Sequence, residues 1–237
     1  MLSAWTTLLT ICSICLYICN IDASYALFFC QPPRIAFSEL VIELASPESC
    51  FWAPTKEECF VELKTWRSKS GLGNQRLTIR SAVEALSDPS IMMTGSTLQT
   101  FSHLSVLNMF TLVHALYLQV YHIQTSGVRA SNTTNYVKIA LKQWKNLWSS
   151  YSRDAELIDV VHKESQISTA WQTIGFVKHA PEYWLLIHLL LQKESNASTT
   201  RSSAALSIIT RHEDIDMGEA KSLIAELKSV AIYNTLE

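Results

Sequence analysis

Apolar side chains recur at three- and four-residue steps through every long apolar segment of this 237-residue chain. That spacing is the mark of helices that each bury one face. No stretch alternates with period two, as a half-buried strand would. Met1 to Asn20 carries no charge and is apolar nearly all round; its pattern predicts a helix buried inside a helical domain. Gln31-Pro32-Pro33-Arg34 ends that element, because proline cannot continue a helix. Ile35 to Pro54 reads as a connecting stretch with a short helical or extended piece. Thr55-x-x-Glu58 is a capping box ahead of Phe60, Leu63 and Trp66 at helical spacing. A polar loop follows from Arg67 to Arg76, then a short helix from Thr78 to Ser87 that stops before Pro89.

The strongest periodic segment runs from Phe101 to Gln124. Val106, Met109, Phe110, Val113, Tyr117, Val120 and Tyr121 share one face, and the other face is mixed, with Ser105, Asn108, Thr111, His114, Gln119 and His122. A lipid-facing span rarely carries so many polar groups, so the pattern predicts the central helix of a bundle. Asn135 to Ser152 is amphipathic. Its stripe runs through Val137, Ala140, Leu141, Trp144, Leu147, Trp148 and Tyr151, away from Lys138, Lys142 and Lys145. Ser168 to Lys193 is helical again, with Pro181 and Glu182 suited to a helix start. Asn196 to Ser203 reads as a loop. The last helix begins at Asp216, with a stripe through Ala220, Leu223, Ile224, Leu227, Val230 and Ala231. The reading is one all-α domain over residues 1–237, with about seven helices and no substantial sheet.

Composition narrows the function. Six glycines and six prolines disfavour a turn-dense β-sandwich. Lys and Arg number 19 against 21 Asp and Glu, a net charge of −2. That balance offers no field for a phosphate backbone, so direct DNA binding by this chain is not expected. The uncharged N-terminus competes with a signal or anchor reading, but its first cation is Arg34, which leaves no basic leader. A membrane-anchored or secreted helical protein is therefore the alternative. Under it, the sequons at Asn132 and Asn196 would matter.

Reactive chemistry is sparse. The sequence holds no His-Glu-x-x-His, no Gly-x-Ser-x-Gly and no phosphate-binding loop. Gly71-x-Gly73-x-x-Arg76 lacks the third glycine of a dinucleotide fingerprint. Cys12, Cys15 and Cys19 share a helix face and read as small apolar packers; Cys12-x-x-Cys15 has no second pair at zinc spacing. His114 and His188 sit in apolar helices, where a hydrogen-bonded core histidine is expected. His212-Glu213-Asp214 cannot share one helix face, so it is not read as a metal site. No enzyme, metal or cofactor site is assigned.

Four runs in order resemble one family, the fungal-specific transcription factor domain, also called the middle homology region. The first passes from Asp22 through Pro32 and Pro33 to Ile35. The second surrounds Trp52, from Phe51 to Cys59. The third holds Trp144 and Trp148, and the fourth runs from Gly175 and Phe176 through Glu182 and Trp184. The resemblance implies a non-catalytic, all-α regulatory domain of a nuclear transcription regulator. It implies as partners other transcription-factor segments or regulatory proteins, or a second copy of the chain, and no membrane. The zinc-dependent DNA-binding module that such proteins carry, a six-cysteine cluster or a pair of fingers, is not in this sequence. The chain is therefore expected to be a C-terminal portion, or a form without that module.

Overall fold

The computed structural model describes residues 2–29, 31–47, 49–50, 53–72, 76–88, 90, 95–125, 131–151, 177 and 179–200. Helices dominate: α1 (Leu2–Phe29), a 3-10 turn (Phe37–Glu39), α2 (Lys56–Lys69), α3 (Ile79–Ser87), α4 (Gly95–Ser102), α5 (Val106–Thr125), α6 (Ser131–Tyr151) and α7 (Ala180–Thr200). The described residues contain no strand, only an isolated bridge between Glu43 and Thr78. The all-α expectation holds.

Local chemistry sets the ends of these helices. Thr55 Oγ1 accepts from the Glu58 amide at the start of α2. Thr78 Oγ1 accepts from the Ser81 amide, and Ser81 Oγ accepts from the Thr78 amide, a reciprocal cap on α3. Each side chain satisfies an amide that the first helical turn leaves unpaired.

α5 is the axis of the bundle, and α1, α3, α6 and α7 all pack against it. Every side chain from Leu107 to Leu118 is buried, so Asn108, Thr111 and His114 of the face expected to be mixed lie inside as well, while Gln119 is half-buried and His122 exposed. The three buried polar residues stay there because each is hydrogen-bonded. Asn108 Oδ1 accepts from the Ala45 amide at 2.8 Å, and its Nδ2 donates to the Ala45 carbonyl at 2.8 Å. This clamps the connecting stretch onto the core.

Three expectations are corrected. The segment from Phe101 to Gln124 is two helices, not one. Phe101 and Ser102 are the last turn of α4, and Ser105 Oγ accepts from the Asn108 amide to start α5 afresh. α1 is not buried all round: Leu16, Cys19, Ala23 and Ala26 are inside, whereas Ile14, Ile18 and Ile21 are exposed. Residues 196–200 continue α7 rather than forming a loop, since Ser and Thr weaken a helix by only tenths of a kcal/mol each. The helix expected from Asp216 lies outside the described residues.

Candidate functional site

Asp22 is the first of the family-like positions. Its Oδ2 accepts from the backbone amides of Arg34 and Ile35, each at 2.9 Å. Pro32 and Pro33 stop α1 and turn the chain back, and the Asp22 carboxylate holds that return in place. These three residues therefore build a chain reversal.

Trp144, Trp148 and Trp184 meet where α6 faces α7. Trp144 is 1% exposed and donates from Nε1 to the Met109 carbonyl on α5 at 2.8 Å. Trp148 stacks on it, with ring centres 5.2 Å apart. Trp184 Nε1 donates to the Leu141 carbonyl at 2.7 Å. Lys145 Nζ lies 4.9 Å from the centre of the Trp184 ring, and the His188 ring stacks on Trp184 with centres 5.3 Å apart. Glu182 pairs with His179 Nδ1 at 2.8 Å near the start of α7. Trp52, Gly175 and Phe176 lie outside the described residues, as does His212-Glu213-Asp214.

A second polar node went unread in the sequence. It ties α1, α5 and α7 together through Ser24, His114 and Tyr183. His114 Nδ1 lies 2.9 Å from the Phe110 carbonyl, which can only accept, so Nδ1 carries the proton. Nε2 must then accept from the Ser24 hydroxyl at 2.9 Å, and Ser24 Oγ accepts from Tyr183 OH at 3.1 Å. One helical turn away, Asn20 Nδ2 donates to Thr111 Oγ1 at 3.1 Å. The signal was present: Asn20 and Ser24 are four apart on an apolar helix, and Thr111 and His114 are three apart on another.

A serine beside an oriented histidine has the outline of a nucleophile and its base. Burial, however, pushes His114 down to about 4, which makes it a weak base at neutral pH. The ring is also packed between Phe110 and Tyr183. The node is thus built to hold helices. Cys19 and Cys50 are likewise pushed up by burial to about 11, so both remain thiols rather than reactive thiolates. The described residues hold no group of three His, Cys, Asp or Glu side chains that could bind a metal.

One groove, of about 330 Å3, opens between the 3-10 turn, α3, α5 and α6. Phe37, Ile123 and Val137 give it apolar walls, and Glu84, Asp88 and Gln119 supply acceptors. Among the described residues, the buried Gln119 Oε1 has no hydrogen-bond partner. The groove falls within the size range of small-ligand sites, and its chemistry suits an apolar body bearing a hydrogen-bond donor.

The polar groups described above serve packing and buried hydrogen bonds, and the comparison that bears on function is one of sequence. The chain is 25% identical over 226 residues to transcription factor verF of Penicillium polonicum, across 90% of this chain. That likeness supports a fungal transcription factor. The chain spans only 30% of the length of that relative. No protein-family profile matches the chain, and no solved structure matches it.

Proposed function

We propose that this chain is the non-catalytic regulatory module of a fungal transcription regulator, acting in the nucleus through contacts with other proteins. The observation that carries this reading is the alignment of 226 residues with a transcription factor. The bundle supports it, because the invested chemistry is structural: Trp144, Asn108, His114 and Asp22 all spend their polar atoms on holding helices and turns. The net charge of −2 leaves DNA contact to a separate module. The middle homology region remains the family reading of the four runs described above.

Tethering tests this directly. The full chain, fused to a heterologous DNA-binding module, should change transcription from a promoter carrying that module's site, and should enter the nucleus. Carbonate-resistant pelleting with membranes, or glycan at Asn132 or Asn196, would overturn it in favour of the anchored or secreted reading.

A further inference from the structure

Two thiols from different parts of the chain meet beside α2. Cys50, at the end of the connecting stretch, is 4% exposed. Cys59, at the start of α2, is half-buried. Their side chains hydrogen-bond each other. The backbone fixes both positions: the Cys50 amide donates to the Pro47 carbonyl and the Cys59 amide to the Thr55 carbonyl, each at 3.0 Å. Cys12, Cys15 and Cys19 are neighbours of another kind. They sit three and four residues apart on α1, a spacing that holds Cβ atoms about 5–6 Å apart. A disulfide needs roughly 3.5–4.5 Å. Cys50 and Cys59 belong to separate segments, so no helical spacing keeps their sulfurs apart.

Cys59 also stands at a telling end of its helix. α2 has no fully buried residue, and hydrogen bonds fasten its C-terminal end. Trp66 Nε1 donates to the His103 carbonyl at 2.8 Å, Gln99 Nε2 to the Lys69 carbonyl at 2.7 Å, and Thr100 Oγ1 to the Ser70 carbonyl at 2.6 Å. The thiol contact lies at the end opposite these anchors. A helix with few buried contacts opens locally at low free energy, so a covalent bond there would change how α2 behaves.

We propose that hydrogen peroxide converts Cys50 and Cys59 to a reversible disulfide, and that this bond pins the N-terminal end of α2 to the connecting stretch. Cys59, the more exposed of the two, meets the oxidant. Its sulfur attacks one peroxide oxygen, the O–O bond breaks, and a sulfenic acid and one water result. Cys50 Sγ then attacks Cys59 Sγ, the S–O bond breaks, and the Cys50 proton leaves with the hydroxide as a second water. Both electrons lost by the thiols pass to the peroxide. Burial above all, with Cys59 and Glu62 beside it, pushes Cys50 up to about 11. Cys50 therefore rests as a thiol until the sulfenic acid forms next to it. The ring closes over Phe51 to Glu58, the run that surrounds Trp52. An accessible disulfide is open to attack by other thiols, which makes the bond a switch rather than a staple. The inference stands apart from the transcriptional reading, since its test uses the purified chain alone.

The full chain, reduced and then treated with hydrogen peroxide, should become about 2 Da lighter. Trypsin separates the two cysteines, because Lys56 lies between them: fragments 35–56 and 57–64 carry one cysteine each and should be recovered joined. In the oxidised chain the amides from Phe60 to Leu63 should exchange with solvent at least about tenfold more slowly than in the reduced chain. Dithiothreitol should restore the faster rate. Cys59→Ser should remove both effects with melting retained. Cys50→Ala should leave Cys59 as a sulfenic acid that dimedone labels. If that buried substitution unfolds the chain, Cys59→Ser alone reads the link. Fragments that come apart after peroxide treatment overturn the proposal. So does either cysteine joined to a third one or to another chain, a Cys59 sulfinic acid beside an intact Cys50 thiol, or a link that leaves amide exchange in α2 unchanged.

Discussion

At the scale of single residues, the two stacked tryptophans are not equal. Trp144 is fully enclosed and supplies the partner of the Met109 carbonyl; Trp148 is half-buried at its side. Trp144→Ala should cost about 3–5 kcal/mol, and Trp148→Ala roughly half of that, in proportion to the area it keeps from water. Chemical denaturation of the two variants checks the order. Lys142→Ala should leave stability unchanged. Lys145→Ala should lose about 0.5–1 kcal/mol, because its ammonium sits over Trp184. The sequence pattern placed both lysines alike on the solvated side, and only the meeting of α6 with α7 separates them. His114 carries a pH dependence. The unfolded chain takes up its proton near the ordinary 6.5, the folded one only near 4. The unfolded state thus binds more protons between these values. The stabilisation is complete above pH 6.5 and is lost as pH falls toward 4, by about 3 kcal/mol. Thermal melts from pH 7 to pH 4.5 should show this loss, and His114→Gln should flatten it. Equal slopes for the two proteins would exclude His114 as its source.

At the scale of elements, periodicity reports which faces are apolar but not which of them finds a neighbour. The core stripe of α6 was legible because Val137, Ala140, Leu141, Trp144 and Leu147 face one way and lysines the other. α5 was harder. A central helix is enclosed on all sides, so its polar residues had to be paired by elements far away in sequence. The Asn20–Thr111 bond joins residues 91 apart and Ser24–Tyr183 joins residues 159 apart; no local pattern encodes such partners. α1 misled in the opposite way. Being apolar all round, it resembled a buried helix, while the fold covers only one face. The break before Val106 was hidden because Ser105 lies inside a periodic run and caps the helix with one hydroxyl. Caps are the best-encoded features, and α3 gives a test. Thr78 and Ser81 exchange hydrogen bonds at its start, and Ile79, Ala82, Val83 and Leu86 then face the core. Thr78→Ala should cost about 0.5–2 kcal/mol, with Thr78→Ser close to wild type. Identical melting of all three proteins would mean that packing alone holds α3.

At the scale of the whole molecule, charge placement decides what the chain can bind by itself. Binding to a nucleic-acid backbone gains most of its affinity from releasing counterions, about one for each phosphate that a free Lys or Arg neutralises. Here 19 basic residues face 21 acidic ones, and several cations are already engaged. Arg76 pairs with Glu43 and Arg80 with Glu84, both at 3.0 Å, while Lys145 covers Trp184. Lys64, Arg67 and Lys69 stand closest together, ahead of one loop with Arg76 at its far side. Three charges at one end of a bundle neutralise too few phosphates to hold duplex DNA at physiological salt. In fluorescence anisotropy at about 0.15 M salt, where the screening length is near 8 Å, the chain alone should show no binding below about 10 μM. On the regulatory reading proposed above, DNA contact falls to a separate module. Sub-micromolar binding that weakens steeply with added salt would overturn this account. It would mean that the chain carries a phosphate-binding face of its own.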